Sequence, residues 1–493
     1  MQQSNYMNPY LILTILIIYF GILLLVSYFT SRNANNQSFF IGNRKSPWYI
    51  VSLGMIGASL SGVTFISVPG WVIDNNFSYM QMVLGYLVGY FIIATILMPL
   101  YYRLNLTSIY TYLDKRFGVY SYKTGASFFL LSRLIGSALR LFIVANVLQI
   151  TVFNHLNIPF EVSVFFTILL IWLYTFKGGI KTIIWTDTLQ ALLMLTAVGA
   201  TIIIIGKELN LNFSGIINIV NENEHSQIFF FDDFKSANFF FKQFIAGAFI
   251  AIVMTGLDQD MMQKNLSCKN IKDAQKNMFW FSIILVPVNF MFMSLGVLLF
   301  IFAQKNGITI PVRTDDLYPL IATQGYISPI IGIVFIIGLV AAAYSSADSA
   351  LTALTTSFTV DILNAGNSEE MRLRKIRKVV HFGVSMAMIL VIILFNAINN
   401  ESVISATFKI AGFTYGPLLG LYTFGLFTKY KVKDRFVPII AIMSPILCLI
   451  LSKYSAEWLF GYKFGFELLI LNGLFTFIGL FLLREKLGLK KNI

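Results

Sequence analysis

The chain has 493 residues, of which 57% are hydrophobic and only 12% carry a charge. Its 47 phenylalanines and positive mean hydropathy exclude an ordinary soluble domain and indicate a protein that crosses the membrane many times. Two cysteines and three scattered histidines exclude a disulfide framework and offer no spacing for zinc, haem or iron–sulfur ligands.

Apolar stretches long enough to cross a bilayer recur along the whole chain. Thirteen spans are predicted, and no segment between them is long enough to form a separate domain. They cover residues 10–30, 48–72, 80–102, 124–152, 159–176, 182–206, 237–263, 278–303, 328–362, 379–397, 403–428, 436–452 and 465–483.

Basic residues are distributed unevenly among the loops between these spans. If the N-terminus lies outside, 26 basic residues fall in inside loops and six in outside loops. Because basic loops stay on the cytoplasmic side, this distribution predicts an outside N-terminus and an inside C-terminus. The net charge of +13 is then a topology signal, and no nucleic-acid partner is expected. We expect a location in the bacterial inner (plasma) membrane.

The second predicted span contains residues that a simple lipid-facing helix avoids, among them Gly57, Gly62 and Pro69. A helix that breaks within the membrane frees backbone carbonyls, which are tolerated only where they line a cavity or bind a ligand. Counting five spans from this one and five more from residue 237 gives two halves that enter the membrane from opposite sides. This is the inverted repeat of many secondary transporters.

The predicted organisation follows from this count. We expect an all-α polytopic membrane protein with a 5+5 inverted repeat, one extra helix before the core and two after it. The predicted units are an N-terminal helix and inside loop (1–47), the first repeat (48–206), an outside loop (207–236), the second repeat (237–428) and two C-terminal helices (429–493).

A hydroxyl-rich run with one acid lies in the ninth predicted span. On a helix, Ala342, Ser345, Ser346 and Ser349 share one face, with Asp348 at its edge. Small residues that let two helices approach would account for the serines alone. A carboxylate at mid-membrane, however, costs roughly 3 kcal/mol or more unless something compensates it. Oxygen ligands suit a hard cation, so the run predicts cation binding.

Five short motifs stand in order along the chain: Ser59–Pro69, Gly178–Lys181 with Trp185–Gln190, Asp258–Gln263, the run from Ser345 to Asp361, and Tyr415–Leu421. Each motif is weak alone, but together on thirteen spans they resemble the sodium/solute symporter family. That family includes bacterial sodium/galactose, sodium/proline and sodium/sialic acid transporters. The resemblance covers nearly the whole chain and implies the LeuT-type fold with thirteen transmembrane helices.

By that resemblance, the main sodium site takes the backbone carbonyls of Gly57, Leu60 and Ala342 and the hydroxyls of Ser345 and Ser346. These five oxygens come from two helices of opposite repeats. The site is therefore complete only when the two helices are docked, and sodium binding would bias one conformation.

The resemblance also implies a second sodium site near Asp187, with Asp348 and Ser349 beside it. An Asp at position 348 departs from the hydroxyl expected there. It leaves open whether this carboxylate binds sodium, takes up a proton or pairs with a basic group. For Asp187, the alternative is a structural role as a hydrogen-bond acceptor.

For the solute, the resemblance indicates Ser59, Ser61 and Thr64, and places Arg140 across the cavity from them. A guanidinium can hold a carboxylate with two parallel hydrogen bonds. The alternative for Arg140 is an internal ion pair with an acid such as Asp348.

The motif around residue 258 has a simpler interpretation. Asp258, Asp260 and Gln263 are predicted at the inner end of their span, where solvation accounts for them, and Lys264 is assigned to the following inside loop.

The predicted function is a sodium-coupled symporter that imports a small organic solute by alternating access, with sialic acid or another acidic sugar as the first candidate. A neutral sugar, a monocarboxylate or an amino acid are the next candidates. A proton-coupled transporter of the same fold is the main rival, because Asp348 could carry the proton. The sequence has no phosphate-binding loop and no enzyme-like nucleophile and base. The expected partners are the solute, the sodium ion and the lipid bilayer, and the protein is expected to act as a monomer.

Overall fold

The computed structural model describes residues 9–32, 34–398, 403–462 and 464–485. Helices dominate these ranges. Their one sheet is the short antiparallel pair of β1 (Lys431–Val432) and β2 (Arg484–Glu485). The predicted all-helical class is therefore confirmed.

The first part of the chain begins with a long helix and continues with a helix pair that is broken in its middle. A π-helical segment, Ile93–Leu97, joins α5 to α6. The helices are α1 (Pro9–Ser31), α2 (Asn36–Ile41), α3 (Trp48–Ser59), α4 (Gly62–Asn75), α5 (Tyr79–Ile92), α6 (Met98–Arg103), α7 (Thr111–Arg116), α8 (Val119–Leu148), α9 (Phe160–Thr175) and α10 (Ile180–Glu208).

The second part contains another broken pair, in which α12 passes into a π-helical segment, Ile252–Gly256, before α13. The helices are α11 (Phe213–Glu222), α12 (Phe240–Ala251), α13 (Gln259–Leu266), α14 (Ile271–Lys305), α15 (Leu317–Thr323), α16 (Pro329–Ser357), α17 (Glu370–Ile398), α18 (Val403–Phe427), α19 (Val437–Trp458) and α20 (Leu468–Leu482).

Nine helical stretches of the described chain are long and apolar enough to cross a membrane, or ten if the bent pair of α12 and α13 is one span. The chain is thus an integral membrane protein with many spans. One stretch, Gly62–Arg103, is 42 residues long and contains both α4 and α5. Three shorter apolar helices, α3, α9 and α20, fall below the length of a full span. The count of thirteen and the division into two repeats stay predictions.

Two helix breaks shape the interior. The first separates α3 from α4 at Leu60 and Ser61, where the backbone leaves the helical conformation (ψ of 80° and 178°). The second lies between α12 and α13, whose axes are bent by 64°. Carbonyls in the last turn of a broken helix lose their helical partners, so each break must find other partners for them.

Helix α16 lies at the centre of the bundle. Every residue from position 338 to 357 is buried, and α10 packs along it while α3 and α8 pack against other parts of its surface. A helix that is enclosed on all sides has no lipid-facing or water-facing side for its polar residues. The hydroxyls and the acid of α16 must therefore be satisfied by neighbouring helices or by a ligand.

Helices α5 and α12 approach each other through glycines. A Cβ atom at Gly85 would lie 2.0 Å from the carbonyl oxygen of Phe244, and one at Gly247 would lie 2.2 Å from that of Met82. Small residues allow such close backbone contact between membrane helices. This contact holds the second broken pair against the first part of the chain.

We predict that Gly85→Ala lowers the stability of the purified protein by about 1–3 kcal/mol, because the backbones of α5 and α12 must separate to admit the methyl group. Gly199→Ala on α10 is the matched control, since a Cβ there meets nothing within 4 Å. In a helix this control is expected to be neutral or stabilising by up to about 1 kcal/mol. Thermal unfolding in detergent measures both, and equal melting temperatures would contradict the close contact.

Candidate functional site

A cavity of about 90 Å³ lies beside the first helix break. All four residues predicted to contact the solute line it, namely Ser59, Ser61, Thr64 and Arg140. The break of the first pair therefore faces α8 across this cavity. In this conformation the cavity is smaller than the roughly 300–1,000 Å³ typical of small-molecule sites, so a solute of that size requires it to widen.

The cavity wall also contains residues that the sequence analysis missed. Tyr79, Tyr86 and Tyr90 lie on one side of α5, Asn289 comes from α14, and Arg133 lies two turns before Arg140 on α8. For the three tyrosines and Arg133 the spacing is the signal that could have found them, because residues seven or eleven apart fall on the same side of a helix. The cavity thus combines aromatic surface with cationic and hydroxyl groups.

The guanidinium of Arg140 has no carboxylate within 4 Å among the described residues. The alternative ion pair with Asp348 is therefore not formed. Asp348 instead accepts a hydrogen bond from the hydroxyl of Tyr174 (2.9 Å), and its Oδ1 atom has no hydrogen-bond partner in the described chain. A partly buried, unpaired guanidinium in a cavity favours an anionic ligand.

The first break lies directly against α10 and α16. A Cβ atom at Gly57 would lie 2.8 Å from the carbonyl oxygen of Asp187 and 3.2 Å from the hydroxyl of Ser345. The neighbouring Ser346 is buried and donates to the carbonyl of Ala343 on its own helix (2.9 Å). The structure therefore brings together the two chain segments that were predicted to share a sodium site.

The two breaks differ in how their backbone oxygens are satisfied. At the second break, the hydroxyls of Tyr101 and Tyr110 donate to the carbonyls of Gly256 and Leu257, at 2.8 and 2.9 Å. At the first break, no donor from the described residues reaches the carbonyls of Gly57 and Leu60. The carbonyls of Gly57 and Leu60 at the first break are thus available to a cation, whereas those of Gly256 and Leu257 at the second already accept hydrogen bonds.

Asp187 lies in the N-terminal third of α10 and contacts α16. Its two carboxylate oxygens accept hydrogen bonds from Ser345 (2.7 Å) and Ser349 (3.1 Å). Asp187 and Ser349, two members of the predicted second sodium site, are therefore in contact, whereas Asp348 bonds to Tyr174 instead.

Lys264 is the residue whose position the sequence analysis misjudged most. It was assigned to an inside loop, but it lies on α13, its side chain is 1% exposed, and its Nζ atom is 2.8 Å from Oδ2 of Asp187. The distance is that of an ion pair, although the angles are not those of a hydrogen bond. The bend between α12 and α13 turns this lysine inward.

The acids around residue 258 are buried, not solvated as predicted. Asp258 caps α13 by accepting from the backbone N–H of Asp260 (2.8 Å), and it also accepts from the hydroxyl of Tyr415. Asp260 accepts a hydrogen bond from Arg133 and lies 3.9 Å from Lys264. A buried chain of alternating charges thus runs from the wall of the solute cavity to Asp187.

This geometry can be compared with that of known proteins. The model of the sodium:solute symporter family matches residues 39–433. The sodium/sialic acid symporter NanT of Aliivibrio fischeri is 25% identical over an alignment of 439 residues that covers 83% of this chain and 82% of that protein. The sodium/sialic acid symporter SiaT of Proteus mirabilis is 25% identical over an alignment of 460 residues that covers 89% of this chain and 88% of that protein.

Among solved structures, that of a Na⁺-coupled sialic acid symporter in a substrate-bound outward-open state matches this chain with a TM-score of 0.81. The match is 21% identical in sequence and covers 97% of this chain and 99% of the other. It shows a shared LeuT-type fold. Because the family model matches most of its length, the chain belongs to the sodium:solute symporter family and is a sodium-coupled solute symporter, not an enzyme.

Proposed function

We propose that this symporter imports an anionic solute, with sialic acid or another acidic sugar as the first candidate, by alternating access. The observation that carries the proposal is the unpaired guanidinium of Arg140 in the cavity beside the first break. Two parallel hydrogen bonds from it would hold a carboxylate, and the hydroxyls of Ser59, Ser61 and Thr64 would bind the polar groups of a sugar. Both bacterial relatives named above carry sialic acid in their names, and sialic acid is a carboxylate.

The coupling ion in this proposal binds where the first break meets α16. Its ligands would be the carbonyls of Gly57, Leu60 and Ala342 and the hydroxyls of Ser345 and Ser346. The free carbonyls at the first break and the proximity of Gly57 to Ser345 support this set. Sodium favours such oxygen ligands, and burial on all sides of α16 excludes competing water.

We further propose the thirteen-span arrangement. The stretch Gly62–Arg103 is taken as two spans, the three shorter apolar helices are counted, and each broken pair is one span. The repeats are then residues 48–206 and 237–428, joined by 207–236, with 1–47 before them and 429–493 after them. The excess of basic residues in alternate loops supports an outside N-terminus in a bacterial inner membrane.

The narrow cavity is consistent with alternating access. A solute of the size of sialic acid can enter only if the cavity widens to one side and leave only if it widens to the other. Sodium bound between the first broken pair and α16 would select the conformation in which these helices are docked. That differential affinity is what couples the ion gradient to solute import.

Ser346→Ala is expected to raise the sodium concentration for half-maximal uptake by roughly tenfold to a hundredfold, since a lost polar contact to a charged group costs about 1.5–3 kcal/mol. Uptake of labelled sialic acid into proteoliposomes over a sodium series measures this. Ser385→Ala is the control, because that buried serine bonds only within its own helix α17 (2.8 Å). An unchanged sodium response in Ser346→Ala would remove this hydroxyl from the site.

Arg140→Ala is expected to reduce the apparent affinity for sialic acid by roughly thirtyfold or more, because truncating one partner of a buried charge pair costs about 2 kcal/mol or more. The apparent affinity of Arg140→Lys should lie between that of wild type and that of Arg140→Ala, since an ammonium keeps the charge but cannot form two parallel hydrogen bonds. Arg313→Ala, which removes a partly exposed arginine 3.9 Å from Asp316 and outside the cavity lining, is the control. If Arg140→Ala transports normally, the anionic solute is contradicted, while a neutral sugar or an amino acid stays open.

Proton coupling is the second candidate, and the Oδ1 atom of Asp348 without a described partner favours it. In our account, an inward proton gradient without sodium drives no uptake in wild type, and Asp348→Asn keeps the response to sodium. Proteoliposome uptake with separate sodium and pH gradients measures both. Proton-driven uptake that Asp348→Asn abolishes, with the sodium response intact, would favour the rival.

A further inference from the structure

The carboxylate of Asp187 is already surrounded by donors. Ser345 donates to one oxygen at 2.7 Å, Ser349 donates to the other at 3.1 Å, and the Lys264 ammonium lies 2.8 Å from that second oxygen. A sodium ion at this place would need the same carboxylate and the same two hydroxyls. The ammonium therefore competes with it for Asp187.

Few other groups near Lys264 could compensate the charge of its ammonium. Its side chain is 1% exposed, and the next carboxylate within reach is Asp260, whose Oδ1 atom lies 3.9 Å away. Asp260 is itself engaged by Arg133. A buried ammonium that lost Asp187 would be poorly compensated, so the pair persists as long as α13 stays docked on α10.

A sodium ion and an ammonium group on the same carboxylate would also repel each other. At a separation of about 4 Å inside a protein, the repulsion of two unit charges lowers the affinity of the second by roughly a thousandfold. One cation at Asp187 thus strongly disfavours another.

We propose that the Lys264 ammonium takes the place of a second coupling cation beside Asp187, so that one sodium ion accompanies each solute. This inference rests on the proposed function, and it replaces the second sodium ion that the family resemblance implies. The single ion would bind at Gly57, Leu60, Ala342, Ser345 and Ser346.

Like a second bound ion, the ammonium of Lys264 also joins two parts of the structure. Asp187 lies on α10 in the first proposed repeat and Lys264 on α13 in the second, so their ion pair joins the two halves. Through Asp260 the pair continues to Arg133, which lines the solute cavity. Unlike a bound ion, this cation is covalently tethered and is not carried across the membrane.

The test is to count sodium ions on the purified full-length protein in lipid nanodiscs by equilibrium binding of ²²Na⁺. We expect one ion per protein in wild type and in Lys264→Arg, and two in Lys264→Gln, whose Asp187 is free. The double variant Asp187→Asn with Lys264→Gln removes both charges and should fold and bind one. Ser346→Ala should lose the single wild-type ion or bind it at least tenfold more weakly.

Each result decides a separate point. Two ions on wild type, or one ion on a folded Lys264→Gln, would overturn the role of Lys264 and leave the symporter intact. If Lys264→Gln does not fold, the wild-type count and the double variant still decide, because two ions on either would overturn the proposal. No saturable sodium binding to wild type would contradict the proposed sodium site itself.

Discussion

A membrane helix enclosed on all sides must have every polar group satisfied by the protein or by a ligand. The enclosed part of α16 carries several such groups, among them Ser345, Ser346, Asp348 and Ser349. Much of the surrounding structure follows from this constraint. Asp187 on α10 accepts hydrogen bonds from the hydroxyls of Ser345 and Ser349, and the hydroxyl of Tyr174 on α9 donates to one oxygen of Asp348. The first helix break brings free carbonyls to the same place. In the proposed site, a cation coordinated by oxygen would complete the arrangement, and its binding energy would depend on the docking of these helices.

The two helix breaks differ in the hydrogen bonds that their carbonyls accept. At the second break, tyrosine hydroxyls donate to the carbonyls of Gly256 and Leu257, and Asp258 caps α13. That bend carries Lys264 and Asp260 into the interior, where they form ion pairs. The first break lines the cavity, and no donor from the described residues reaches its carbonyls at Gly57 and Leu60, where we propose that the cation binds. Ion and solute would thus share one flexible element, which gives a physical route for their coupling.

Much of the fold could be predicted from the sequence because it follows from local properties. Long apolar runs gave the spans, Gly57, Gly62 and Pro69 indicated the first break, and the helical spacing of the α16 serines put them on one face. The same spacing would have found the tyrosines of α5. Lys264 and the acids near it could not be placed in this way, because their burial depends on a 64° bend between α12 and α13. Charged residues mark both an inside loop and a short helix that turns inward, so the positions of the charges alone do not distinguish the two.

The central claim is that sodium binds between the first helix break and α16. Hydrogen–deuterium exchange of the purified wild-type protein in sodium chloride and in potassium chloride, without solute, tests it most directly. The account predicts slower exchange in sodium for peptides that contain residues 57–62 and for those that contain 342–349, with little change in α19 and α20. Equal exchange in the two salts, or protection only elsewhere in the chain, would contradict it.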